Sequence, residues 1–169
     1  ARSLAACGAT PVVDPAGRRL QPVDLSPEAR VYAFGEWRTP EGLAAAVSVA
    51  DGDLAVGRYG EARMHRAADP AERPPAAVHL GADVFAPAGE PVRSPLDGRL
   101  ASRRSGRVTL DVEIGDAGAC RLVLDGVDPA ADLADDVRAG SVVGTVAARD
   151  ERPSHVHVQL CLEPIDDMP

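Results

Sequence analysis

The chain of 169 residues contains no lysine: its 18 basic residues are all arginine, set against 26 acidic ones for a net charge of −8. The missing lysine reflects genomic composition, but the acidic balance has a functional consequence. Without a basic run there is no electrostatic footprint for nucleic acid. Aromatic residues make up only 3%, so stacking platforms interleaved with arginine are excluded as well. No stretch approaches the roughly 20 consecutive apolar residues of a membrane-spanning helix, and no membrane partner is expected. Three cysteines, Cys7, Cys120 and Cys161, are odd in number and show no pair spacing, which argues against a disulfide framework.

Aliphatic residues are plentiful. Hydrophobic content is 45%, enough at this length for one domain with a real core. Residues 1–28 read as an extended or linker-like segment and residues 29–75 as accessory strands and a hairpin. There Arg30-Val-Tyr-Ala-Phe34 looks like a strand, and Leu43 to Ala50 pairs with Leu54 to Tyr59 across a turn at Asp51-Gly52-Asp53. Residues 76–163 form the main β domain, with strands at Arg99 to Ser102, Arg107 to Ile114, Cys120 to Leu124, Ser141 to Val146 and His155 to Leu162. Residues 164–169 are a tail. Many short strands with almost no helical period predict an all-β antiparallel sandwich or barrel.

Three of the four histidines and one carboxylate fall in two short segments, His79-Leu-Gly-Ala-Asp83 and Ser154-His155-Val-His157-Val-Gln159. In an extended strand side chains alternate, so His155 and His157 share one face while Val156, Val158, Leu160 and Leu162 turn to a core on the other. His79 and Asp83 are four apart with Gly81 between, a spacing that lets a bent strand end bring imidazole and carboxylate to one ion. Zinc accepts such nitrogen and oxygen donors, and catalytic zinc keeps three protein ligands. Four candidates for three places leave one spare, the position of a catalytic base. The same alternation also fits a solvated sheet face, and spacing does not choose between the two. Cys161 lies on that face too, and a buried thiol is its default reading.

The run His79-Leu-Gly-Ala-Asp83, continued by Gly89-Glu-Pro-Val92-Arg-Ser-Pro95-Leu-Asp-Gly98, resembles the signature of the lysostaphin-like zinc endopeptidases. Arg138-Ala-Gly140-Ser-Val-Val-Gly144 is similar to that family's Gly-x-x-x-Gly strand, and His155-Val-His157 to its closing His-x-His. The resemblance spans about residues 78–160, in the family's order. It implies a lysostaphin-like β fold, Zn2+ as cofactor, His79, Asp83 and His157 as its ligands and His155 as a catalytic histidine. The implied reaction is attack of metal-activated water on a peptide bond of a cell-wall-type or small peptide. The family's further catalytic histidine corresponds to Leu122-Val-Leu-Asp125-Gly126, where Asp125 takes its place. An aspartate there can act as a base but repels developing negative charge, and losing one transition-state donor typically costs about a hundredfold or more.

Pro22-Val-Asp-Leu-Ser26, Arg58-Tyr-Gly-Glu61-Ala-Arg63 and His157-Val-Gln-Leu160 also resemble the middle domain of bacterial fusion proteins, which joins a small-molecule kinase to a class III aminotransferase. That resemblance implies covalently linked neighbouring domains and a cytoplasmic setting, whereas a secreted cell-wall hydrolase would be extracellular or periplasmic. It also supplies the alternative to a peptidase: a non-catalytic metal-binding or structural β module.

Overall fold

The computed structural model describes residues 8–48, 53–63, 78–115, 118–149 and 152–162. Residues 51 and 52 of the expected Asp51-Gly52-Asp53 turn, the fourth histidine, His65, and Cys7 lie outside them.

Among the described residues eleven strands form two sheets. They are β1 (Leu20–Val23), β2 (Leu54–Gly57), β3 (Ala82–Phe85), β4 (Pro91–Arg93), β5 (Gly98–Arg104), β6 (Arg107–Ile114), β7 (Gly118–Asp125), β8 (Val127–Pro129), β9 (Asp136–Val137), β10 (Val142–Val146) and β11 (His155–Cys161). The large sheet has the order β1-β2-β3-β11-β7-β6-β5-β9 and the small one β4-β10-β8. Valine and leucine dominate the inward positions, as suits β-branched and aliphatic side chains on a pleated surface. Val108, Leu110, Leu122, Leu124 and Val156 of the large sheet meet Val92, Val127, Val143 and Val146 of the small one in a single core cluster. The architecture is all-β, two sheets closing on an aliphatic core.

The first half departs from the expected strands. Arg30–Ala33 is a short helix, α1; Glu36–Arg38 is a 3-10 turn; Pro40–Ala46 is a second helix, α2. The Thr39 hydroxyl oxygen accepts from the Gly42 backbone N–H at 3.1 Å, and Pro40 occupies the first turn. A threonine cap, a proline with φ already set for a helix and an alanine run outweigh the hairpin reading of Leu43 to Ala50. Topology gives the larger reason: β1 and β2 run parallel, Leu20 opposite Leu54 through Val23 opposite Gly57. Parallel neighbours cannot be joined by a tight turn and need a crossover, here carried by the helices. The sheet is therefore mixed at this edge and antiparallel elsewhere.

The last strand also differs in part from its expected pattern. Val156 is fully buried and Val158 packs on the core. Leu160 is 39% exposed, and Leu162, which lies beyond β11, 75%. Among the described residues no helix is long and apolar enough to cross a membrane.

Candidate metal centre

One row of the large sheet holds Asp83, His157 and Asp125. Gly57 stands opposite Asp83, Asp83 opposite His157, His157 opposite Asp125, and Asp125 opposite Arg107. Directly paired residues present their side chains on the same face, so this row crosses β2, β3, β11, β7 and β6 on the side away from the core. His79, just before β3, is drawn to the row by the segment following β2. Its backbone N–H donates to the Glu61 carbonyl at 2.9 Å, and its own carbonyl accepts from Gly60 at 2.7 Å.

His79, Asp83 and His157 converge. His79 Nε2 lies 2.9 Å from His157 Nδ1 and 3.1 Å from Asp83 Oδ1, and His157 Nδ1 lies 2.9 Å from the same oxygen. All three residues are buried. The outward contacts fix which ring atoms carry protons. His79 Nδ1 is 2.8 Å from the Arg58 carbonyl oxygen, which only accepts, so Nδ1 holds the hydrogen and Nε2 of the neutral ring is a lone pair. His157 Nε2 is 3.2 Å from Gln159 Oε1, and the Gln159 amide nitrogen donates to Cys161 Sγ at 3.4 Å. His157 therefore turns the Nδ1 lone pair inward.

Two ring nitrogens and a carboxylate oxygen near 3 Å from one another need a cation between them, either a proton or a metal ion. Two metal–ligand bonds of about 2.0–2.2 Å can span up to roughly 4.4 Å, so one ion reaches all three. The donor set thus fits zinc, and the outward hydrogen bonds are those that orient metal-bound imidazoles.

Gly81 makes room for this arrangement. A Cβ built there would lie 2.5 Å from His157 Cε1 and 2.6 Å from the Val158 carbonyl oxygen. Burial pushes the Asp83 carboxyl up, but its polar contacts with His157 and His79, the neighbouring His155 and the Arg63 guanidinium on Oδ2 hold it well below the ordinary carboxylate range.

His155 shares the face but stands outside the three-residue group. Its Nδ1 donates to the Pro153 carbonyl at 2.8 Å, Nε2 has no hydrogen-bond partner among the described residues, and its ring packs on Phe85 with centroids 5.1 Å apart. Burial pushes the imidazole below its usual value, opposed by the Asp83 charge and the Pro153 carbonyl. Asp125 is one strand from His157 but is committed elsewhere. Its Oδ1 takes Arg107 Nε at 3.1 Å and its Oδ2 faces Arg149 Nη2 at 3.7 Å. Cys161 is buried beside Gln159.

Glu61 and Arg63, quoted above only within the Arg58 to Arg63 motif and not as site residues, border the centre. Both are buried. Arg63 Nη1 donates to Asp83 Oδ2 and Arg63 Nε to Glu61 Oε2 at 3.2 Å. The signal was present: oppositely charged residues two apart in an extended segment share one face.

No family model matches the chain, and no curated protein matches it. Among solved structures it is similar to the catalytic domain of the antimicrobial peptidase lysostaphin from Staphylococcus simulans, at 23% identity over 50% of this chain and 67% of that one, with a TM-score of 0.41. A zinc-containing peptidase from Vibrio cholerae aligns at 18% identity over 57% of this chain and 32% of that one, TM-score 0.43. A variant catalytic domain of the prophage-encoded M23 protein EnpA from Enterococcus faecalis aligns at 22% identity over 60% and 75%, TM-score 0.43. The chain spans 36% of a longer lysostaphin chain and about a third of the Vibrio peptidase.

Proposed function

We propose that this chain is a zinc-dependent hydrolase domain of the metallopeptidase type, acting on a peptide bond. The observation that carries the reading is the convergence of His79 Nε2, Asp83 Oδ1 and His157 Nδ1, each with its other polar atom already occupied. Zinc bound there would supply Lewis-acid polarisation of a carbonyl and acidification of water. The chain's own residues do the rest. His79, Asp83 and His157 would hold the ion. His155, its Nδ1 tied to Pro153, has Nε2 free to take a proton and pass it on, and burial favours the neutral ring that a base requires. The motif set around these residues points to peptide cross-links of bacterial cell wall as the substrate class.

A specific observation favours a second reading, a metal-binding module without hydrolytic activity. Asp125 is bound up with Arg107 and Arg149 and offers no proton donor toward the metal side of the row. Cleavage of a fluorogenic glycine-containing peptide by the zinc-loaded chain separates the two. The first reading expects slow, chelator-sensitive cleavage that Asp125→His raises and His155→Ala abolishes. A zinc-loaded chain that neither cleaves peptides nor binds a hydroxamate inhibitor is the non-catalytic module.

A further inference from the structure

We propose that Arg63 is a positioning residue of the metal centre: its guanidinium occupies Oδ2 of Asp83, so that the carboxylate offers the ion Oδ1 alone. The inference rests on the three-ligand reading above and specifies how one ligand is presented.

Three observations support it. Arg63 bridges two buried carboxylates, Nη1 to Asp83 Oδ2 and Nε to Glu61 Oε2. Glu61 is itself fixed: its Oε1 accepts from the Leu25 backbone N–H at 3.0 Å and from Arg58 Nη2 at 2.7 Å. The clamp on Asp83 is thus anchored in β2's outgoing segment and in the chain following β1, not in a mobile side chain. Arg58 also supplies the carbonyl that sets the His79 tautomer, so the segment from Arg58 to Arg63 orients two of the three ligands.

The second observation is Gly57. A Cβ at this position would lie 2.5 Å from Arg63 Nη2 and 3.3 Å from Asp83 Cβ. The guanidinium lies against bare backbone, in space that any other residue would fill. The third is that Arg63 Nη2 is buried with no hydrogen-bond partner among the described residues. An arginine held there only by packing would not leave a donor unmet; this one gives it up to keep its two carboxylate contacts.

A carboxylate free at both oxygens can bind a metal through one or both. With Oδ2 taken by a planar, permanently charged fork, the second mode is closed and a coordination position is kept open. Lysine carries the charge but cannot bridge Glu61 and Asp83 as a planar fork does.

The test measures zinc affinity by competition with a chromophoric chelator, and visible absorption of the cobalt(II)-loaded chain, for wild type, His157→Ala, Arg63→Met, Arg63→Lys and Glu61→Gln. Circular dichroism establishes which variants fold. Arg63→Met is expected to lose about ten- to a hundredfold in zinc affinity, the usual effect of removing a partner of a metal ligand. Its cobalt bands should weaken as Asp83 adds its second oxygen and coordination rises. Arg63→Lys should follow Arg63→Met, and Glu61→Gln should shift both readouts the same way by less. If Arg63→Met does not fold, the isosteric Glu61→Gln carries the same test. Wild-type affinity in a folded Arg63→Met, or a loss of affinity with an unchanged cobalt spectrum, overturns the positioning role while the centre stands. A wild type that binds zinc no better than His157→Ala overturns the three-ligand reading and the role of Arg63 with it.

Discussion

His79 Nε2 and His157 Nδ1 face each other across 2.9 Å, each the inward nitrogen of a ring whose other nitrogen is engaged by an oxygen. Without a metal a proton must lie among these donors and Asp83; a zinc ion that replaces it would be held by all three. Zinc should therefore stabilise the fold. At a thousand times its dissociation constant a ligand adds about 4 kcal/mol, which for a domain of this size raises the melting temperature by roughly 8–16 °C. Thermal melts with zinc and with a chelator check this, and melts that coincide count against it.

Gly81 should tolerate no side chain. Its Cβ would overlap the His157 ring and the Val158 carbonyl, and the backbone oxygen cannot give way. Gly81→Ala should destabilise the fold by about 1–3 kcal/mol and reduce zinc affinity at least tenfold, an order of magnitude typical of a disturbed ligand environment. Urea denaturation and chelator competition read the two effects separately.

Acid should unfold the zinc-free chain through Asp83. Its carboxyl is held below the ordinary range of about 3.9, so the stability it contributes is present above that value and is lost as pH falls toward the folded-state value. Asp83→Asn should lower stability at neutral pH and flatten the decline between about pH 4 and 2. A decline of unchanged steepness in the variant would assign it to other carboxylates.

The core and the centre lie on opposite faces of the large sheet, so they should respond independently. Leu110 is fully buried in the cluster between the sheets. Leu110→Ala should cost about 2–5 kcal/mol and lower the urea midpoint without altering the slope. Zinc stoichiometry should be unchanged.

The legibility of this molecule in its sequence divides along physical lines. The alternation of His155, Val156 and His157 determines which side chains share a face, because period two is a local property of a strand. The helices at Arg30–Ala33 and Pro40–Ala46 were obscured because the alanine-rich stretch sits beside a turn signal. What decides between them is non-local: β2 pairs parallel with β1 and so requires a crossover. Arg63 shows the same limit. Its spacing from Glu61 was visible, but its partner Asp83 lies twenty residues on, and only the sheet register brings them together. Asp125 falls beside His157 in that register, while the two arginines that engage it come from β6 and from the segment after β10, which no local pattern announces.

The most direct test is elemental analysis of the purified chain beside His79→Ala and His157→Ala. About one zinc per chain in the wild type, lost in both variants, is the expected result for a centre with a single shared ion. No zinc in the wild type, even when the metal is supplied at neutral pH, would contradict the account at its centre.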